Sequence, residues 1–96
     1  MARFFIAQLN VHDPVEYARY LEGTAALLEE FSGTVLAVDE DPEVLEGEWP
    51  YARTVLIEFP TRDHLDRWYR SDGYRAIAAH RRAAATGNVV SIEGRN

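Results

Sequence analysis

The chain has no cysteine and no lysine; all ten of its basic residues are arginine. Without cysteine there are no disulfides, no thiol nucleophile and no cysteine-held iron–sulfur cluster, and without lysine no Schiff base can form. A GC-rich genome would also encode an all-arginine basic set, and the consequence for any site is that its permanent cation is a guanidinium. No apolar run approaches the roughly 20 residues a bilayer requires. The opening Met1-Ala-Arg-Phe-Phe-Ile-Ala-Gln8 also lacks the long apolar stretch and cleavage site of a signal peptide. A cytoplasmic protein without a membrane partner is therefore expected. The net charge of −6 makes nucleic acid and anionic surfaces unfavourable partners. His12, His64 and His80 show no metal-ligand spacing, and no glycine-rich phosphate loop or Gly-x-Ser-x-Gly elbow occurs, so neither metal nor bound cofactor is expected.

The 96 residues, close to half of them apolar with both charge signs interspersed, fit one globular domain over residues 1–96 with a two-layer core. Phe4 to Val11 reads as a strand, with Phe5, Ala7, Leu9 and Val11 on one face and Phe4, Ile6, Gln8 and Asn10 on the other. Asp13-Pro14-Val15-Glu16 then supplies an N-cap, a first helical proline and a reciprocal capping-box acid. The following helix has an apolar stripe through Tyr17, Tyr20, Leu21, Thr24, Leu28 and Phe31, is weakened at Gly23, and is stopped by Gly33. Thr34–Val38 is a second strand, followed by a solvated acidic turn at 39–42. Val44 and Leu45 lead into the loop Glu46-Gly-Glu-Trp-Pro50. Arg53–Phe59 is a strand buried on both faces, and Thr61 caps a second helix bearing Leu65, Trp68 and Tyr69. Ser71-Asp72-Gly73 interrupts that helix before Tyr74, Ile77, Ala78 and Arg81 resume its stripe. Gly87 ends it, and Asn88–Ile92 is the last strand.

This order is the ferredoxin-like βαββαβ arrangement, an α+β fold with an antiparallel four-stranded sheet and both helices on one face. The strands are apolar on both faces, so the uncovered face calls for a second, identical sheet, and a homodimer closing into a dimeric α/β barrel is expected.

Within the apolar third strand, Glu58 has to be paired, protonated or turned toward a polar cavity. Alternation places it with Thr54, Leu56 and Gln8 on the face away from the helices. It reads either as a general acid or base in the space between the sheets, or as the structural partner of Arg53 or a rim residue of the dimer. Trp49, Trp68, Tyr69 and Tyr74 are core or interface anchors, or else walls of a pocket. Trp49 sits on a loop beside Arg53, a pair suited to a small carboxylate or planar ligand. The expected pocket lies between the sheet and the Trp49 loop, with Arg53 at its edge engaging Glu58 or a ligand. The segment from Trp68 to Tyr74 forms a wall, and Tyr69 or Tyr74 offers a hydroxyl.

Asp13-Pro14 with Tyr17 and Tyr20, Glu46-Gly-Glu-Trp-Pro50, Arg53, Glu58-Phe-Pro-Thr61, Trp68-Tyr-Arg-Ser71, Tyr74 and Arg81-Arg-Ala83 together resemble the domain of unknown function 1330 family over nearly the whole chain. The resemblance implies the dimeric α/β barrel group, whose members include cofactor-independent monooxygenases, haem-degrading and peroxidase-like proteins, muconolactone isomerases and stress-responsive barrels. The family itself carries no established reaction. Its pattern residues fall here on Trp49, Arg53, Glu58, Trp68, Tyr69, Ser71 and Tyr74. Asp72-Gly73 stands where the family commonly has Pro-Glu, which implies a looser kink before Tyr74. Three functional readings are open. The first is a cofactor-independent enzyme acting on a small planar or carboxylate-bearing molecule, with Glu58 and Tyr69 catalytic and Gln8, Trp49, Arg53, Trp68, Ser71 and Tyr74 binding. The second is a non-catalytic ligand-binding or structural dimer. The third is a haem binder using His80 and Trp68.

Overall fold

The computed structural model describes residues 1–95; Asn96, included in the expected domain, lies outside the described residues. Strand β1 (Arg3–Val11) leads to helix α1 (Pro14–Glu30), strands β2 (Thr34–Asp39) and β3 (Arg53–Phe59), helices α2 (Arg62–Arg70) and α3 (Asp72–Ala84), and strand β4 (Ala85–Glu93). The sheet order is β2-β3-β1-β4 with every neighbouring pair antiparallel, and the ferredoxin-like βαββαβ order holds.

Local chemistry sets the element ends. Asp13 caps α1 by accepting the Glu16 amide proton at 3.1 Å, ahead of Pro14 in the first turn. The reciprocal half of the expected capping box is missing, because the Glu16 carboxylate turns to His80 on α3. Helix α1 ends at Glu30, and the left-handed residue is Ser32 (φ 64°) instead of Gly33. Gly33 is needed for a different reason: a Cβ there would stand 2.7 Å from Leu28 and 2.8 Å from Phe59. The expected break in the second helix is one residue wide. Ser71 adopts an extended conformation, donates its hydroxyl to the Trp68 carbonyl at 2.8 Å and accepts the Tyr74 amide proton at 3.1 Å, so it ends α2 and starts α3 at once.

Strand β1 is central, and its pairing decides the two faces. Phe5 lies opposite Ile57, Ala7 opposite Val55 and Leu9 opposite Arg53; with Phe59 these residues point toward the helices. Trp68 packs there against Phe5 and Phe59, both at 5.1 Å between ring centroids, and against Tyr74 at 4.2 Å. Such aromatic contacts add roughly 0.5–1.5 kcal/mol per pair beyond the area they bury. Helix α1 runs along α3 closely enough that a Cβ on Gly23 would meet Ile77 at 2.6 Å, so the residue that costs helix propensity permits the approach.

The opposite face has no cover among the described residues. The register sets Ile6 between Leu56 and Val90 and Phe4 between Glu58 and Ile92, a continuous apolar strip on which Val90 and Ile92 are exposed. Beyond it lie Gln8, Thr54 and Asn88.

Gly87 lies inside β4 and does not stop the helix, which ends at Ala84. A Cβ at this position would fall 2.0 Å from the Gln8 carbonyl oxygen and 2.9 Å from Leu9. Gly87→Ala is accordingly expected to force β4 away from β1 and to cost about 1–3 kcal/mol or more. Urea denaturation checks this, and an unchanged midpoint would contradict the close approach.

Candidate functional site

The helix-covered core is not filled throughout. A cavity of about 110 Å³ lies between the sheet and α1, walled by apolar residues of β1, β2 and β3. The polar side chains that reach it come from Tyr17, Tyr20 and Thr24 of α1, Arg53 of β3, Trp68 of α2 and Arg81 of α3. Val35 and Val38 point to the same side from the edge strand β2, yet both stay about half exposed, which marks where the cavity approaches solvent.

Two polar groupings line it. Arg53 donates from Nε to the Tyr17 hydroxyl at 3.0 Å, pairs with Glu40 through Nη1, and lies 5.3 Å from the Tyr17 ring centroid. Burial works against its charge, but the bonds to Glu40 and Tyr17 outweigh burial and raise its pKa. Next to it, the Tyr20 and Tyr74 hydroxyls bond each other at 2.9 Å. Burial raises both phenols, reinforced for Tyr20 by Tyr74 and opposed for Tyr74 by the Arg81 charge. Both therefore stay protonated at neutral pH and act as donors, not as phenolate bases.

Arg81 is 7% exposed, and its guanidinium stands 5.9 Å from the Tyr20 ring centroid. Its Nε and the indole Nε1 of Trp68 are buried with no hydrogen-bond partner among the described residues.

The residues singled out from the sequence fall into separate places. Arg53 and Trp68 reach the cavity. Tyr74, 1% exposed, stands behind it, and Ser71 holds the α2–α3 junction; Asp72-Gly73 thus leaves Tyr74 firmly packed, contrary to the looser kink expected. Gln8 and Glu58 lie on the open face, where Gln8 accepts from Asn88 at 3.0 Å and Glu58 has no hydrogen bond or ion pair among the described residues. Trp49, 42% exposed, donates to Thr54 at 2.9 Å and so is tied to that open face as well. Tyr69 is half-buried along surface grooves beside β4. Of the haem candidates, Trp68 is 1% exposed and His80 is held by Glu16. Arg53 does not engage Glu58. The two are five positions apart on one strand, an odd number, and alternation sends them to opposite faces.

Tyr17, Tyr20, Glu40 and Arg81 belong to the cavity region but were not singled out as site residues. A usable signal existed for Arg81: an arginine on the apolar stripe Tyr74–Ile77–Ala78 has its charge aimed inward.

Tyr20→Phe or Tyr74→Phe should each cost about 1–3 kcal/mol by stranding a buried hydroxyl, and the double variant should cost less than the sum. The pH dependence has a definite sign. Below about pH 10, where an unfolded tyrosine titrates, both states keep the phenol protons and the pair's contribution is constant. Above it the unfolded chain releases protons that the native state retains, so stability falls as pH rises. Urea midpoints measured through the alkaline range should fall for the wild type and fall less for the double phenylalanine variant.

Solved structures share this fold at low identity. A protein of unknown function from Rhodopseudomonas palustris superposes with a TM-score of 0.82 at 17% identity, over 99% of this chain and 83% of that one. A dimeric ferredoxin-like protein of unknown function from Jannaschia gives 0.70 at 14%, over 98% and 100%. The cofactor-independent oxygenase SnoaB of Streptomyces nogalater gives 0.62 at 17%, over 99% and 94%. No curated protein matches the chain. The family described as domain of unknown function (DUF1330) matches residues 2–95, and the chain belongs to that family.

Proposed function

We propose that the protein is a homodimer that binds a small planar or carboxylate-bearing organic molecule in the cavity beneath its sheet, and that proton transfer there needs no bound cofactor. The observation that carries this reading is the set of polar side chains, among them Tyr17, Tyr20, Arg53 and Arg81, that reach an otherwise mostly apolar cavity. Burying hydroxyls and guanidinium groups costs free energy unless they are paired, and an apolar filling of the same space would be more stable. Drug-sized pockets span roughly 300–1,000 Å³, and an enclosed void of ~150 Å³ accepts benzene. At about 110 Å³ the cavity suits a molecule of about four or five heavy atoms, or one end of a longer one entering past Val35 and Val38. The Tyr20–Tyr74 pair, kept protonated by burial, offers the ligand a hydrogen-bond donor rather than an acid. The Streptomyces oxygenase supports the view that this fold can host chemistry without a cofactor, as an analogy of fold.

The dimer rests on the open strip of Phe4, Ile6, Leu56, Val90 and Ile92, and on the loop beside it, where Leu45 is 83% exposed. Similar folds from Jannaschia and Bacteroides fragilis are dimeric. A second reading puts the chemistry between the sheets, with Glu58 as general base; Tyr69, expected as its catalytic partner, packs against Phe5 and Trp68 on the helix side of the sheet and takes no part in it. This second reading is favoured by the absence of any protein partner for Glu58 among the described residues.

Two measurements test these readings. Leu56→Asp should give a monomer, or an unfolded chain, in light scattering, because a second sheet would bury an unpaired charge; a folded dimer would end the sheet-packing proposal. A thermal-shift screen of small planar acids and amides should find compounds that stabilise the wild type. Val55→Phe, which fills the cavity, should lose the response, whereas Glu58→Gln should keep it. The reverse pattern would move the site to the open face.

A further inference from the structure

The cavity lies between two arginines that differ in one respect. Arg53 has its counter-charge: Glu40 and the Tyr17 hydroxyl satisfy it from the protein. Arg81 has none. It is 7% exposed, no carboxylate lies within ion-pair distance of it among the described residues, and its Nε proton is unpaired. The Tyr20 ring below it offers a cation–π contact but accepts no Nε–H bond. Trp68, which lines the same cavity, carries the second unpaired buried donor, its indole N–H. A third donor is close by. The Tyr20–Tyr74 pair holds two hydroxyl protons and uses one between them, leaving the other free to be donated.

Trapped water would satisfy the N–H groups but would leave the guanidinium charge uncompensated at a site where unpaired charge is costly. An anion with oxygen acceptors meets all three needs at once. Among organic groups small enough for the cavity, a carboxylate presents two such oxygens to a guanidinium.

We propose that Arg81 Nε and Trp68 Nε1 are the anchor for a carboxylate of the ligand, so that the molecule bound here is a small carboxylic acid held as its anion. This rests on the cavity being the binding site. It adds to that reading the charge of the ligand and the two atoms that recognise it. It also makes Arg53 a wall and Arg81 the recognition residue.

The test uses the intact protein and its two indole N–H resonances, assigned with Trp49→Phe. Acetate, propionate and benzoate are titrated against the corresponding amides, which match them in shape but carry no charge. Acids should move the Trp68 indole resonance saturably and leave that of Trp49 in place, and the amides should have little effect. Arg81→Met should weaken acid binding by at least about tenfold, consistent with loss of a charge-assisted bond. Should that variant fail to fold, Arg81→Lys, which keeps the charge and loses the fork, should show a smaller loss, and the wild-type comparison of acid with amide stands without any variant. Equal binding of acids and amides, or acid binding untouched in Arg81→Met, overturns the carboxylate anchor while leaving the cavity as a site. No response of the Trp68 resonance to any of the compounds overturns the cavity reading and the anchor with it.

Discussion

The pairing of β1 between β3 and β4 is the constraint from which the rest follows. In an antiparallel sheet a residue and its cross-strand partners share a face, so fixing Phe5 opposite Ile57 also fixes Leu9 opposite Arg53 and Gln8 opposite Thr54. A slip of one residue would turn the buried set outward. The same pairing delivers Arg53 to the core and Glu58 to the open face. It also brings Gly87 against the Gln8 backbone, where only a residue without a Cβ fits.

Among the described residues, one side of that sheet is covered by helices and the other is open. Toward Phe5 and Phe59 the cover is dense, because Trp68 and Tyr74 fill the space with large rings in edge and tilted contact. The Leu9–Arg53 pair borders the looser part, where tyrosines with polar tips stand beside arginines. Rings with a hydroxyl end suit such a boundary because the apolar body packs while the tip finds a polar partner. The core thus grades from close-packed aromatic to a small void that a few polar side chains reach.

The open face and the cavity are chemically distinct. Phe4, Ile6, Leu56, Val90 and Ile92 make an open apolar strip, whereas the cavity is a recess of mostly apolar walls reached by a few tyrosine, tryptophan and arginine side chains. A carboxylate such as Glu58 beside the open face and a guanidinium such as Arg53 beside the cavity cannot serve one ligand across the thickness of the sheet. This separation, more than the identity of any single residue, divides the candidate residues into an open-face group and a cavity group.

Much of this was legible in the residues themselves. The Asp13-Pro14 start, the strand faces of Phe4–Val11, the Thr61 cap, the interruption at Ser71 and the ferredoxin-like order all depend on interactions within a few positions of the chain, and local sequence determines those. The odd spacing of Arg53 and Glu58 was legible too and already implied opposite faces. Other features depend on neighbours distant in sequence and could be decided only by the tertiary structure. Gly87 looked like a helix stop but is a contact with the Gln8 carbonyl, and Gly33 is set by Phe59 rather than by the cap. Tyr20 meets Tyr74 across 54 positions, and Glu16 leaves its own helix end for His80, 64 positions away. Above all, a sequence can show an arginine on an apolar stripe. Whether a counter-charge waits for it depends on where every other carboxylate of the chain is carried by the fold, and for Arg81 the fold brings none within reach among the described residues.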